Sequence, residues 1–188
     1  MSSVPPSSLH EVQNTDIRRT LPGVDLTDLQ RAHVGCVLDL FQAKPTLDKL
    51  DMFAEDGIYE DAFATARGRE EIGGQFYGLP KVTKESITRS HLVKSVSPEG
   101  KIEMDLHQLF VFKAGGKEVD MKTTVIICSD ATTGKITRLQ DRPMEDIPDN
   151  SFIHMLRKMN AVVTPHLVGI PKTEEQDAKK LEQDQKHS

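Results

Sequence analysis

The sequence predicts an α+β domain in which a curved antiparallel β-sheet wraps around three N-terminal helices. Two observations lead to this prediction. Apolar residues recur at helical spacing in the first part of the chain, and from residue 86 the pattern changes to β-segments separated by tight turns. Consecutive strands joined by tight turns form an antiparallel meander, and the helices that precede it can cover only one face of the sheet. A later amphipathic pattern at about 151–162 predicts an extra C-terminal helix.

The first helix begins at a capping box. Thr27 and Gln30 have the spacing at which each side chain caps the backbone of the other residue, and helical periodicity continues to about Ala43. A shorter helix opens at Pro45-Thr46, and Gly57 is expected to end it in the left-handed conformation. Both helices should place an apolar stripe on the core. In the first helix this stripe comprises Leu26, Leu29, Val34, Val37, Leu38 and Phe41.

One strand is predicted between the second and third helices, at Ile58–Ala66. The third helix should follow Gly68 and close at Gly78-Leu79-Pro80, because Gly and Pro interrupt helices. Turn-forming residues then separate four more β-patterns, which predicts hairpins. These four strands are Ser86–Val96, Ile102–Lys113, Val119–Ser129 and Lys135–Arg142.

The chain of 188 residues fits one domain with extensions, since a chain of this size can bury a single core unaided. Residues 1–23 lack periodicity and are expected to be a flexible arm. Residues 24–146 form the predicted α+β domain, and residues 147–171 form a C-terminal helical extension. Residues 172–188 carry both signs of charge and few apolar side chains, which predicts a disordered, solvated tail.

Charge and hydropathy disfavour two classes of partner. The formal net charge is −5 and basic residues form no block, whereas binding to a phosphate backbone requires a clustered basic face. No segment approaches the ~18 to 20 apolar residues that span a bilayer, and the N-terminus lacks the apolar stretch of a secretory signal. We therefore expect a cytoplasmic protein with no nucleic-acid or membrane partner.

The cysteines and histidines predict no metal site. Cys36 lies in an apolar helix pattern and Cys128 in an apolar strand, so each is expected to be a small buried side chain with a reduced thiol. The seven histidines are spread along the chain, and none has the spacing that supplies several ligands from one element.

Three short motifs carry a resemblance to a known family. They are FAEDGIYED at 53–61, GREEI at 68–72 and GKITRLQD at 134–141. With the predicted order of elements, they resemble the nuclear transport factor 2-like superfamily, particularly SnoaL-like domains, over about residues 25–145. The resemblance implies a cone-shaped roll with an internal pocket, chemistry without a cofactor, and a homodimer formed through the exposed sheet face.

The same resemblance points to two carboxylates. Asp61 falls on the general base of ketosteroid isomerase, and Asp141 resembles the last-strand carboxylate that acts as acid or base in SnoaL-like polyketide cyclases. The isomerase also needs a Tyr and a protonated Asp to stabilise the developing enolate. The corresponding positions here are Val37 and Ile126, so the resemblance disfavours steroid isomerisation.

Strand alternation places both carboxylates in mixed apolar surroundings. It groups Asp61 with Tyr59 and Phe63 on one face, and Asp141 with Leu139 on another. A carboxylate with apolar walls has a raised pKa, which suits it to exchange protons near neutral pH. Asp61 and Asp141 are therefore candidate catalytic residues.

Alternatives remain for several of these residues. Asp61 could instead cap a turn or pair with Arg67 or Arg69 at the rim. His107 is a third catalytic candidate, a proton shuttle if it faces inward with Asp105 and Leu109. Because the opposite face of that strand is more apolar, a register one residue different would expel His107 from the cavity.

Other side chains are expected to line the pocket and bind the substrate. Among them, His91 and Tyr77 have plain structural alternatives, as a hydrogen-bonded core histidine and a core tyrosine whose hydroxyl reaches water. The expected substrate-binding residues are Tyr59, Phe63, Tyr77, His91, Thr124, Ile126 and Leu139.

Two functions are consistent with the sequence. The first is a pocket for a small apolar, oxygen-bearing molecule, on which the carboxylates catalyse a cofactor-free cyclisation, isomerisation or dehydration. The second is a non-catalytic ligand-binding or dimerisation module, because no oxyanion donor is evident. The helix at 151–162 would be a lid over the open end of the cone in the first case, and an extension of the core or a dimer contact in the second.

Overall fold

Four helices and six strands make up the part of the chain that the structure describes. The computed structural model describes residues 12–145 and 169–186, so the predicted helix at 151–162 lies outside the described residues. Within these ranges no helix has the length and apolar character required to cross a membrane. The helices are α1 (Asp28–Phe41), α2 (Leu47–Asp51), α3 (Gly68–Val82) and α4 (Glu174–Lys186). The strands are β1 (Phe53–Glu60), β2 (Thr65–Arg67), β3 (Thr83–Val96), β4 (Ile102–Phe112), β5 (Glu118–Ser129) and β6 (Ile136–Pro143).

The strands form one sheet in the order β2-β1-β6-β5-β4-β3. All neighbours are antiparallel except β1 and β6, which run parallel, so the last strand of the meander returns beside the first strand. Pairing between β3 and β4 shifts register at three points, and such bulges bend and twist a strand. The predicted α+β class, with a curved sheet wrapped around the N-terminal helices, is confirmed.

Helix α1 lies at the centre of the core. The predicted capping box is present, with Thr27 and Gln30 each capping the backbone of the other residue. Every residue from Ala32 to Phe41 is buried. Because an apolar helix has few exposed positions when a sheet and other elements surround it, the complete burial of this segment shows that α1 is covered on all sides.

Residues 12–23, which belong to the predicted flexible arm, pack against the core. Val12 and Ile17 are only 4% and 1% exposed. The backbone N–H groups of Gln13 and Asn14 donate to the buried carboxylate of Asp39 on α1, at 2.6 and 3.1 Å. Short-range sequence patterns miss this segment because its partners lie about 25 residues away in the chain.

The segment between α2 and α3 differs from the predicted helix and single long strand. Helix α2 ends at Asp51 and β1 begins at Phe53, so Gly57 lies inside a strand and does not have a left-handed φ. A Cβ on Gly57 would lie 3.0 Å from the Ala54 oxygen and 3.3 Å from the Ile136 oxygen. Glycine is therefore needed where β6 approaches the irregular part of β1 closely.

The predicted disordered tail contains helix α4. Its Asp177 carboxylate is 7% exposed and accepts hydrogen bonds from the Tyr77 hydroxyl at 2.5 Å and from the Leu47 backbone N–H at 2.8 Å. A few polar contacts to the core thus hold a helix that has almost no apolar face. Helix α3 also continues through Pro80 to Val82, beyond the end predicted for it.

Candidate functional site

The inner face of β6 carries Asp141 next to a fully buried apolar surface. Asp141 and Leu139 are two residues apart and share this face. Across the antiparallel pair they stand opposite Val125 and Ile127, and these two residues and Leu139 are all 0% exposed. The predicted inward direction of Asp141 and Leu139 therefore agrees with the strand register.

This environment raises the pKa of Asp141 from the ordinary 3.8 to about 7. Burial is the main cause because it disfavours the charged form, and the charge of Asp61 adds to it, whereas the hydroxyl of Thr123 opposes it. Asp141 Oδ1 is enclosed and has no hydrogen-bond partner among the described residues. The residue as a whole keeps partial exposure.

Tyr59 and Asp61 form a hydrogen-bonded pair beside Asp141. The Tyr59 hydroxyl donates to Asp61 Oδ2 at 2.9 Å, and the Tyr59 ring packs on the Phe76 ring of α3 with centroids 5.2 Å apart. Burial and the charges of Asp61 and Asp141 hold the pKa of Tyr59 well above 10. Tyr59 therefore remains a protonated donor at any physiological pH.

Asp61 also closes the turn between β1 and β2. Its Oδ1 accepts from the backbone N–H groups of Phe63 and Ala64, both at 2.7 Å, in addition to the Tyr59 bond on Oδ2. Asp61 therefore caps the turn, as the alternative interpretation predicted, and its carboxylate accepts three hydrogen bonds. The rim alternative does not hold for Arg69, whose guanidinium contacts Asp51 and the Phe53 oxygen.

Phe63 lies in this turn and not in a strand, because β1 ends at Glu60. The predicted grouping of Tyr59, Asp61 and Phe63 by strand alternation is therefore wrong, although the turn still brings Asp61 to Tyr59. Hydrogen bonds within the turn, and not strand alternation, place Asp61 beside Tyr59.

His107 lies on the outer face of the sheet, so the prediction that it points into the cavity is wrong. Its Nε2 is 2.7 Å from Asp120 Oδ1 on β5, across the outer surface. The inward residues of β4 include Ile102, Met104 and Leu106, all 2% exposed or less. The more apolar face of the strand is buried, as the alternative register requires.

Thr124 and Ile126 likewise face outward, contrary to the predicted role in substrate binding. On β5 the buried residues are Thr123, Val125 and Ile127, with exposures of 2%, 0% and 0%. The Thr124 hydroxyl instead lies 3.5 Å from the Asp105 carboxylate on the outer face. The position that the resemblance assigns to the second isomerase donor therefore points away from the interior.

His91 is on the inner face but far from Asp141. It pairs with Leu106 on β4, and β3 is three strands from β6 in the sheet, which places the two strands about 14 Å apart. Burial, and secondarily the charge of Arg19, lower the pKa of His91. Its Nε2 is enclosed without a partner among the described residues, so it is a neutral core histidine.

Tyr77 lies at the junction with α4 and not at a pocket mouth. It is 1% exposed, donates to Asp177, and has Lys180 Nζ 4.8 Å above its ring. A cleft of about 1170 Å³ lies nearby, between α2, the start of α3 and residues 169–175. None of the residues around Asp141 lines this cleft.

No group of three His, Cys, Asp or Glu side chains comes together within residues 12–145 and 169–186 in a way that could hold a metal ion. The cluster that does form consists of two carboxylates with two hydroxyl groups, from Tyr59 and Thr123. This set of side chains can exchange protons and form hydrogen bonds with a neutral polar group.

Comparison with known proteins identifies the fold. No family model matches the chain, and no curated protein matches it in sequence. A nuclear transport factor 2-like protein from Anabaena variabilis superposes with a TM-score of 0.50 at 17% identity, covering 63% of this chain and 88% of that chain. The fold is nuclear transport factor 2-like. The predicted resemblance is therefore confirmed at the level of the fold.

Two further structures share this nuclear transport factor 2-like fold. A candidate polyketide cyclase from Pseudomonas putida has a TM-score of 0.51 at 12% identity, covering 65% of this chain and 96% of that chain. A protein of unknown function from Mycobacterium tuberculosis has a TM-score of 0.51 at 14% identity, covering 74% and 88%. At such identities the likeness shows the fold alone, and the fold hosts different functions.

Thr123 and Phe76 belong to the cluster but were not among the predicted site residues. Thr123 shares its strand face with Val125 and Ile127. If the inward face of β5 had been predicted correctly, Thr123 would have been among the predicted site residues. Phe76 lies on α3, and the packing of α3 on β1 brings its ring to Tyr59.

Proposed function

We propose that the protein binds a small apolar, oxygen-bearing molecule beside Asp141 and transfers a proton on it, in a cyclisation, isomerisation or dehydration. Asp141 takes the proton as a carboxylate and returns it as a carboxylic acid. This chemistry changes no oxidation state and so requires no cofactor. The observation that carries the proposal is the environment of Asp141.

A pKa of about 7 suits Asp141 to this role. A general base works best when its pKa lies near the operating pH, because a useful fraction is then ionised and the base is still strong. An ordinary aspartate with a pKa of 3.8 is ionised throughout the physiological range but is a weak base. The buried apolar neighbours Val125, Ile127 and Leu139 contribute to the desolvation that raises the pKa of Asp141.

Tyr59 and Asp61 support Asp141 in this proposal. Asp61 is held by three donors and is therefore assigned a fixed structural position, not the role of mobile base that the sequence suggested. Its negative charge helps to raise the pKa of Asp141. The Tyr59 hydroxyl donates to Asp61, and the Tyr59 ring packs on that of Phe76.

The proposal is tested by proton exchange into carbon acids. A panel of cyclic and open-chain ketones is incubated in D₂O with wild-type protein, with Asp141→Asn and with Asp105→Asn, an outer-face control. We expect deuterium incorporation above the buffer rate with wild type and with the control, and a loss of roughly 10² to 10⁴-fold with Asp141→Asn. Equal incorporation by Asp141→Asn and wild type would contradict the assignment.

A non-catalytic binding module is the second candidate function. Two observations favour it. The Asp61 carboxylate accepts hydrogen bonds from its own turn. The position where the isomerase has a hydrogen-bond donor is Val37, whose side chain is apolar and fully buried. Ketones that shift the NMR signals of Asp141 and Leu139 without any enzyme-dependent deuterium incorporation would support this second function.

We also propose that the outer sheet face pairs two copies in a homodimer. Ile87, 43% exposed on β3, lies on this face beside Leu109. Light scattering should give twice 21.0 kDa, and Ile87→Glu should shift the mass toward one copy. A wild-type mass of a single chain at micromolar concentration would refute the pairing.

A further inference from the structure

Thr123 is a buried polar residue next to Asp141. It stands opposite Pro143 on β6, while Val125 stands opposite Asp141, so Thr123 and Asp141 are diagonal neighbours on the inner face. Thr123 is 2% exposed. A threonine at a core position between apolar residues requires a reason, because burial of an unpaired hydroxyl costs stability.

The hydroxyl of Thr123 and one carboxylate oxygen of Asp141 are buried without an ordinary hydrogen bond. Thr123 Oγ1 and Asp141 Oδ1 are both enclosed, and neither makes a hydrogen bond of ordinary geometry with a residue of the described part of the chain. They nevertheless lie close enough for the hydroxyl to lower the pKa of Asp141. Since a hydroxyl hydrogen rotates about its C–O bond, a small adjustment can direct it to Oδ1.

The charges that act on Asp141 within the described residues do not stabilise its ionised form. Asp61, in the turn after β1, is the charge that acts on Asp141, and it disfavours ionisation. The other neighbours on the packed strands are uncharged, namely Tyr59 on β1 and Val125 on β5. Among the described residues, the Thr123 hydroxyl is thus the group that favours the ionised form of Asp141.

Asp61 provides an internal comparison. Two backbone N–H groups and the Tyr59 hydroxyl donate to Asp61, whereas the Thr123 hydroxyl is the donor that acts on Asp141 within the described part of the chain. The carboxylate of Asp61 is thus fixed by its turn, whereas that of Asp141 has a single adjustable donor within reach among the described residues. The two acids are therefore placed for different tasks.

We propose that Thr123 is the positioning residue of the proton-transfer site: its hydroxyl donates to Asp141 while that side chain is ionised, and releases it when the carboxyl group becomes protonated. The proposal rests on the function proposed above, because it assigns a part to the same carboxylate. Thr123 touches Asp141 and not the reacting molecule. It holds the carboxylate in one orientation and stabilises the charged form before proton transfer.

The test is an NMR titration of the Asp141 carboxyl carbon in the full chain, without any ligand. Thr123→Val removes the hydroxyl at nearly constant shape, and Thr123→Ser retains it. Thr124→Val, which changes the neighbouring outer-face threonine, is the matched control. We expect the titration midpoint of Asp141 to rise by about 0.5 to 1 pH unit in Thr123→Val, as the loss of one hydrogen bond to the charged form predicts. It should stay within about 0.2 unit of wild type in Thr123→Ser and Thr124→Val.

The outcomes separate this proposal from the proposed function. A wild-type midpoint near 7 that does not move in Thr123→Val overturns the role of Thr123 and leaves the role of Asp141 intact. A wild-type midpoint near 4 overturns the proposed function itself. If Thr123→Val does not fold, Thr123→Ala and Thr123→Ser are compared, and an equal midpoint in these two folded variants counts against the proposal.

Discussion

Replacement of Asp141 by Asn should remove part of the pH dependence of the free energy of unfolding. The folded state binds a proton on Asp141 more tightly than the unfolded state, because its pKa is raised from 3.8 to about 7. Below pH 3.8 the carboxyl group is neutral in both states, and its contribution to stability is fully present. As the pH rises toward 7, the unfolded state loses the proton first, so folding becomes less favourable. Asn has no proton to lose and avoids this change.

The magnitude follows from the pKa difference. One pKa unit corresponds to 1.36 kcal/mol, so the shift from 3.8 to about 7 gives an upper value of about 4 kcal/mol. The partial exposure of Asp141 lets solvent screen some of this penalty, which reduces the expected value to about 2 to 4 kcal/mol. The stability of Asp141→Asn relative to wild type should therefore increase by this amount between pH 4 and pH 7.5.

The assay is urea denaturation of both proteins at pH intervals from 4 to 8.5, with the difference in the free energy of unfolding plotted against pH. Asp130→Asn is the control, because hydrogen bonds from the Thr133 backbone and hydroxyl lower the pKa of this exposed turn residue. Its difference from wild type should be flat above pH 5. A flat difference for Asp141→Asn over the same range would show that Asp141 is ionised at little cost, and would refute the reasoning.

Three other substitutions test the packing that supports the site. Ala43→Gly should raise the free energy of unfolding by up to about 1 kcal/mol in urea denaturation, because Ala43 has a φ of 58° at the end of α1; a loss would contradict this. Asp39→Ala should cost about 3 to 5 kcal/mol, since it leaves Lys49 buried at 1% exposure without its partner 3.3 Å away; a cost below 1 kcal/mol would be inconsistent with that pair. Asp177→Ala should speed proteolysis within α4 about tenfold or more, and the exposed control Glu175→Ala should not; equal rates would exclude Asp177 as the anchor.

Local patterns predicted α1 and the meander accurately. The capping box and the apolar periodicity of α1 are properties of neighbouring residues, and the predicted bounds of the four later strands fall close to those of β3 to β6. The segment at 53–66 was mispredicted because its conformation depends on β6. Phe53 pairs with Ile136, and the Ile136 N–H donates to the Met52 oxygen, although more than 80 residues separate these partners in the chain.

The candidate site was predicted only in part, because the direction of a side chain depends on the register of its strand. Asp141 and Leu139 were placed on the correct face, because the polar residues Arg138, Gln140 and Arg142 alternate with them in the sequence. His107 and Ile126 were placed on the wrong face, since a one-residue change of register reverses every side chain of a strand. The alternation of apolar residues on β4 favours the observed register, in which Ile102, Met104 and Leu106 are buried.

The amino-acid sequence alone determined the order of helices and strands, the fold class and the presence of acidic residues near two strand ends, because these depend on periodicity and local turn chemistry. Only the tertiary structure decided which acid lies in apolar surroundings. Asp61 is satisfied by its own turn, whereas Asp141 lies among apolar side chains of β5 and β6 with one charge nearby. The hydrogen-bond donors of Asp61 lie within three residues of it, whereas the apolar side chains that desolvate Asp141 include those of the neighbouring strand β5, which β6 meets only in the folded sheet.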